Sequence, residues 1–355
     1  RKEKYSFNNF KALKSLRIKN RVGIRTNAEN ISLENCLNLQ QLFIEDCRSL
    51  KELTLPFQNN LTHLTINDAL ELDMSFIETC KQLQFLSLQA VGPVDVDLLS
   101  ECKRLTTLEL KTIPIKGNFA NLISVEKLTL YYEGKIPPLP PNLISVILST
   151  IVEMQVGKIK RNIYSLVEFN KCPKLESIYV KLAEGTIDLK DIRKYANLKQ
   201  LRLYAKSIIN MHYLTRLVKL EELVLSCEME SFDTPLRDLP LLKEVKLLHS
   251  KELSDISGLA QCPILEKVEI IRCPVLTNIQ PLSTCLNLRK ISLYTCEKIT
   301  EKSLSPLKEL PNLQFIDLSF TDVTKKQRVK FMRETSVKVK GIKLRAKNLN
   351  MESPD

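Results

Sequence analysis

"LNLRKISLYTCEKITEKSLSPLKELPNLQFIDLSFTDVT", residues 286–324, carries one short phrase twice. Leu288, Ile291 and Leu293 fall at the spacing L-x-x-L-x-L, and Leu313, Ile316 and Leu318 repeat it. In a strand, alternate side chains lie on opposite faces, so this spacing sends the leucines inward and leaves the intervening residues to solvent. One such strand cannot bury its own apolar side, whereas a stack of them can. The cysteines that flank the first phrase, Cys285 and Cys296, raise three other readings: a metal site, a disulfide or a nucleophile.

Outward from this stretch, the phrase recurs along the chain. Its starts are Leu13, Leu39, Leu61, Leu83, Leu105, Val125, Leu143, Leu175, Leu198, Leu220, Leu242, Leu265, Leu288 and Leu313. From Leu175 to Leu313, six intervals span 138 residues, a mean of 23. A period of that size predicts an α/β solenoid: a leucine-rich repeat horseshoe of about 14 repeats, with a parallel sheet on its concave face and helices or turns on its convex face. A second apolar position, eleven residues after the start, brings the chain back over the core at Leu50, Leu72, Val94, Ile209, Leu253, Leu276 and Ile299. The segments SFIETCKQ (75–82), VDLLSECKR (96–104) and LKDIRKYAN (189–197) are spaced as convex helices.

The period breaks twice, giving an irregular middle around 131–174. Val125 to Leu143 is only 18 residues, and IPPLPPNL (136–143) predicts a helix-free return, because proline lacks a donor and fixes φ. Leu143 to Leu175 is 32 residues, room for an inserted loop or a degenerate repeat. One continuous arc over 27–322 is the expectation; two arcs hinged near 150–170 are the alternative.

The frame accounts for the cysteines. Cys36, Cys80, Cys102, Cys172, Cys262 and Cys285 stand three residues before a start, Cys47, Cys273 and Cys296 eight after, and Cys227 seven after. Position eight is expected to take a small buried residue, as at Ala69, Ala183, Ser250 and Thr321, and cysteine behaves as a small hydrophobe. Neither C-x-x-C nor grouped histidines appear: His63, His212 and His249 are far apart, so no metal or other cofactor is expected. Eight glycines in 355 residues and neither G-x-G-x-x-G nor a P-loop argue against nucleotide chemistry. No G-x-S-x-G, HExxH or spaced carboxylate pair stands out, so no catalytic residue is assigned and a non-catalytic chain is expected. Neither a membrane span nor a signal peptide is visible, which predicts an intracellular protein without a membrane partner.

Repeats of the form L-x-x-I-x-L-x-x-C-x-x-I-T, at Cys296 with Ile299 and again at Cys47 with Leu50 and Cys273 with Leu276, resemble the cysteine-containing class of leucine-rich repeats. That class is similar to the repeat half of F-box proteins, the substrate receptors of SCF-type, cullin-based ubiquitin ligases. The resemblance implies a subunit that holds a protein target while an F-box, expected upstream of residue 1, recruits an adaptor and cullin, in the nucleus or cytoplasm.

Solvent-facing strand positions form columns. Four residues after the start stand Phe43, Tyr179, Arg202, Lys246 and Asp317; six after stand Tyr131, Lys181, Tyr204 and Tyr294, with Tyr132 and Phe320 at the edge. Aromatic and arginine side chains outside a core are frequent anchors of protein interfaces. Tyr131, Tyr132, Tyr179, Arg202, Tyr204, Lys246, Tyr294 and Phe320 are therefore the candidate partner-binding residues, on the concave face or the C-terminal rim. The alternative is that the tyrosines pack together and stiffen the sheet.

Charge is concentrated at the ends. Residues 1–26, the N-terminal flank and first repeat, hold nine basic residues and one acidic; residues 323–347 hold ten and one, within a total of +12. The second segment predicts a closing helix from Thr324 and a last strand, VKVKGIKL (337–344), whose lysines deter further pairing, followed by a tail at 348–355. Its rival reading is a basic patch for nucleic acid or an acidic protein. Interleaved aromatics are lacking, which argues against sequence-specific nucleic-acid recognition.

Overall fold

The computed structural model describes residues 3–7, 10–20, 28–133, 135–150 and 163–341. The chain forms two compact units, the first of residues 1–158 and 167–183, the second of residues 159–166 and 184–355. Each is built on a run of parallel strands.

In the first unit the run is β1 (Ser15–Lys19), β2 (Gln41–Glu45), β3 (His63–Ala69), β4 (Phe85–Val91), β5 (Thr107–Lys111), β6 (Lys127–Tyr132), β7 (Ser145–Thr150) and β8 (Ser177–Lys181). Each pairs in parallel with the next, in register. In the second unit the run is β9 (Gln200–Tyr204), β10 (Glu222–Ser226), β11 (Glu244–Leu248), β12 (Lys267–Ile271), β13 (Lys290–Ser292), β14 (Phe315–Asp317) and β15 (Lys338–Lys340), again each beside the next. Every predicted start is followed two residues later by a strand.

The register stacks like positions. Leu42, Leu64, Leu86, Leu108 and Leu128 stand opposite one another across five strands, all at most 2% exposed. In the second unit Leu201, Leu223, Val245, Val268, Ile291 and Ile316 do the same, each completely buried. Burying an aliphatic side chain of this size contributes about 1.5–3 kcal/mol, so the stability of each unit is distributed along its spine.

The returns are not the α-helices expected at 75–82, 96–104 and 189–197. They are short 3-10 turns, at Ser75–Thr79, Val96–Leu99 and Ile192–Lys194, with others at Phe119–Asn121, Met211–Arg216, Leu236–Asp238 and Gln280–Thr284. A 3-10 turn rises about 2.0 Å per residue against 1.5 Å for an α-helix, so a short repeat can cross the core with fewer residues. The same geometry explains the spacing of the first cysteine column. Residues three apart on a 3-10 turn point the same way, and the start residue's amide donates to the carbonyl three before it: Leu39 to Cys36, Leu83 to Cys80, Leu105 to Cys102, Leu288 to Cys285. IPPLPPNL runs without helix and buries Leu139 and Leu143.

Where the chain leaves its strands, two local forms recur, the first at 46–90 and 249–320 and the second between them. In the first, the residue seven after the start takes a left-handed conformation and the next turns inward: Asp46, Asp68, Ala90, His249, Arg272, Thr295 and Phe320 have φ of 47–61°, and Cys47, Ala69, Val91, Ser250, Cys273, Cys296 and Thr321 behind them are buried. In the second, the strand stays extended and position seven itself is buried, as at Thr112, Tyr132, Leu182 and Cys227. This one-residue shift overturns three expectations. Ala183 is exposed because Leu182 occupies the core, Ile209 is exposed while Ile208 is buried, and Tyr132 is buried rather than lying at the rim.

In the second unit α1 (Glu301–Leu304) precedes β14, and α2 (Lys325–Thr335) lies between β14 and β15. Thr324 caps α2 through a reciprocal box: its hydroxyl accepts from the Gln327 amide and the Gln327 side chain accepts from the Thr324 amide. Phe331 of α2 is 3% exposed, and the buried Arg328 donates to the Val323 carbonyl. The part of the irregular middle at 151–162, residues 1–2, 8–9 and 21–27 of the N-terminal region, the end of the expected last strand at 342–344 and the tail lie outside the described residues.

Candidate interaction surface

The solvent face of each sheet carries positions two, four and six of the repeat. In the first unit Arg17 stacks over Phe43 at 4.9 Å, His63 stacks on Phe85 at 5.8 Å, and Ser87 donates to Glu109 at 3.0 Å. Tyr131 and Tyr179 are half-buried on this face, Tyr131 opposite Ser149 and Tyr179 opposite Ile147. Tyr132 points the other way, into the core, with 5% exposure, so it offers no surface to a partner.

In the second unit Arg202 grips Glu222 through two hydrogen bonds, of 3.0 and 2.7 Å, and this carboxylate raises the guanidinium pKa. Beside them four side chains close a ring: Lys246 with Glu244 (3.0 Å) and Glu269 (3.5 Å), and Lys267 with Glu244 (2.7 Å) and Glu269 (2.7 Å). Burial opposes the charge on Glu244, and the bonds from Lys267 and Lys246 outweigh it, holding the carboxyl below its usual range. Lys267 is likewise opposed by burial and raised by its two glutamates. The ring is neutral in sum, so the predicted anchor Lys246 is already committed to two carboxylates. Tyr204 lies half-buried on β9. Further along, Tyr294 meets Phe320 edge to face, centroids 5.1 Å apart at 87°. His249 accepts or donates to the Ser226 hydroxyl at 3.1 Å, and burial with Arg272 nearby lowers its pKa, keeping the imidazole neutral near pH 7.

The cysteines are all buried and all free. Several thiols lie on carbonyls one repeat back: Cys285 on Leu259 at 3.0 Å, Cys296 on Ile270 at 3.3 Å, Cys172 on Pro140 at 3.3 Å and Cys102 on Cys80 at 3.5 Å. Burial pushes Cys80, Cys227 and Cys296 up to about 12, and Cys102, Cys172 and Cys273 to about 11. At the Cys262–Cys285 pair a shared hydrogen bond raises one thiol and lowers the other, while burial raises both. At the six thiols raised to about 11 or 12, the thiolate needed for nucleophilic attack or metal ligation is disfavoured. Among the described residues, no cluster of three or more His, Cys, Asp or Glu side chains is arranged to hold a metal ion, and no helix is long and apolar enough to cross a membrane.

One column escaped the sequence reading. The residue before the start is repeatedly asparagine, and its amide donates to a carbonyl of the preceding repeat: Asn38 to Lys11, Asn60 to Leu37, Asn142 to Ile123, Asn287 to Pro263 and Asn312 to Leu286. The recurring dipeptide Asn-Leu was the available signal.

No protein-family model matches the sequence, and no curated protein is similar to it in sequence. Solved structures are similar in fold. An internalin, InlF, of Listeria monocytogenes superposes with a TM-score of 0.57 at 14% identity, over 94% of this chain and 87% of that one. A leucine-rich repeat protein of Leptospira interrogans gives 0.46 at 17% identity, over 93% of each chain. The functional domain of InlJ from Listeria monocytogenes, described as including a cysteine ladder, gives 0.49 at 17% identity, over 89% of this chain and 65% of that one. With the repeat register, the parallel strand runs and the first of these likenesses, the chain is a leucine-rich repeat solenoid.

Proposed function

We propose that this chain is a non-catalytic protein-binding solenoid. The observation that carries the reading is the solvent face of each unit's strands, where Tyr131 and Tyr179 in the first and Tyr204, Tyr294 and Phe320 in the second stand half-exposed, the latter among ordered charges. Rigid aromatic side chains desolvate a large area at low entropic cost, which suits them to anchor a protein partner.

The finer reading is that the solenoid is the substrate-recognition part of an F-box subunit, so that a target held here is brought to an SCF-type adaptor and cullin in the nucleus or cytoplasm. Its support is the resemblance of the repeats at Cys47, Cys273 and Cys296 to the cysteine-containing class. The alternatives are a scaffold without a ligase link, and a nucleic-acid adaptor acting through the basic ends. Affinity capture of the full-length protein, with nuclease treatment and a salt series, separates them. An adaptor and cullin recovered with one dominant target supports the receptor; a target alone supports the scaffold. Loss of all bound material to nuclease or modest salt overturns protein binding in favour of nucleic acid.

A further inference from the structure

Charge on the strands of the second unit is compensated at β11 and β12 and left open along one row that reaches β15. At β11 and β12 the ring of Glu244, Lys246, Lys267 and Glu269 closes on itself. Beyond it, Lys290, Phe315 and Lys338 occupy neighbouring places in one cross-strand row. Among the described residues no carboxylate lies within 4.0 Å of Lys290 or Lys338, both exposed, whereas Lys340 in the next row holds Asp317 at 3.1 Å. The half-exposed ring of Phe315 sits between these two cations, with the Lys290 ammonium 5.5 Å from its centroid. The Tyr294–Phe320 pair lies past the ends of β13 and β14, beyond the row of Ser292, Asp317 and Lys340.

We propose that the row Lys290–Phe315–Lys338 is a docking site for an acidic protein segment that carries an aromatic or aliphatic side chain. The proposal rests on the protein-binding reading above and adds the place and the chemistry of the partner. Two lysines one strand to either side of Phe315, about 4.8 Å each way, suit two carboxylates flanking one apolar group. A nucleic acid would also satisfy the cations, but it uses aromatic side chains by stacking bases on their open faces. Here Lys290 stands over one face of Phe315, and Tyr294 and Phe320 meet edge to face, so an apolar side chain fits better than a base.

The test uses the whole chain and a fluorescent nine-residue peptide made of three Glu-Asp-Phe units. Controls are the same peptide with serine for phenylalanine, a Lys-Arg-Phe version and a nine-nucleotide oligouridine. The Glu-Asp-Phe peptide is expected to bind best, and Lys290→Glu with Lys338→Glu to weaken it about tenfold or more. Lys290→Gln with Lys338→Gln, which adds no acid, should give a smaller loss in the same direction. Arg237→Glu with Lys251→Glu, the same charge change on exposed residues outside the strands, should leave binding within about twofold. Equal losses in the two charge-reversed variants, tighter oligouridine binding, or no peptide binding at millimolar concentration overturns the site. The Lys290/Lys338 variants are also carried into the affinity capture. A native partner retained undiminished by them removes this site while protein binding stands; absence of any protein partner from the unmodified chain removes protein binding itself.

Discussion

At the scale of the residue, two kinds of position carry unusual chemistry for reasons of place. The cysteines are chosen as small, weakly polar fillers of the turns, and burial keeps Cys80, Cys227 and Cys296 as thiols. A thiol-reactive chromogenic reagent at pH 7 is therefore expected to label fewer than about one of the ten within minutes, and all of them in denaturant. Rapid labelling of several native thiols would show that the turns open readily. The left-handed residues make the opposite case. Thr295 is β-branched at φ 56°, where L side chains crowd the backbone, at a cost of about 1–2 kcal/mol. Glycine relieves this but gives back about 0.5–1 kcal/mol in unfolded-state entropy. Thr295→Gly should thus raise the unfolding free energy by up to about 1 kcal/mol in urea titration; a loss of stability would mean that the threonine side chain contributes to the turn more than its backbone strain costs.

At the scale of the element, the same strands were legible in some positions and opaque in others. The start residue and the apolar residues three and five after it were readable at all fourteen starts, and at thirteen they are buried, as strand alternation alone requires; at the first, Leu13, Leu16 and Ile18 are half-buried. Position seven depends on a single backbone torsion, and that is why Tyr132, Ala183 and Ile209 were misplaced. A usable signal was present: Tyr132 is followed by Glu133 and Cys227 by Glu228, apolar then acidic, while Asp46–Cys47 and Arg272–Cys273 read the other way. Phe320–Thr321 breaks the pattern, so the signal is incomplete. Of the candidate surface, the aromatic positions were legible but their partners were not. The ring around Lys246 joins residues on two strands, and only the register places Glu244 beside Lys267. Glu244→Gln should lower stability by about 1 kcal/mol at pH 7, because it leaves two half-buried lysines sharing one carboxylate. The sign with pH follows from the shifts. Glu244 is held below its usual pKa, so its contribution is full above about pH 4.3 and is lost as pH falls through the depressed value. Lys267 is held above its own, so its contribution is full below about pH 10.4 and is lost as pH rises through the elevated value. The gap between the two proteins should therefore be widest between these limits and close in acid; a gap that persists at pH 2 would assign the loss to packing instead of charge.

At the scale of the whole molecule, a stack of repeats has ends, and each end exposes a core that the interior repeats hide. In the second unit α2 and β15 cover that end: Phe331 and Val337 are 3% exposed, the Leu318 amide donates to the Lys340 carbonyl at 2.7 Å, and Arg328 is enclosed with the Val323 carbonyl. Ending the chain after Thr324 would leave the edge of β14 without its neighbour and open Leu318 and Val323 to water. An unpaired parallel edge over bared leucines is a template for another chain, and the lysines of β15 that now discourage such pairing would be gone. The truncated protein is expected to run as dimers or larger species in size-exclusion chromatography with light scattering. Phe331→Ala tests the same region without removing the edge strand: it should cost about 3–5 kcal/mol and leave the chain monomeric. If the truncated chain is monomeric and melts at the temperature of the full one, α2 and β15 are appended to the solenoid and do not seal it, and the lysines of β15 remain as binding residues alone.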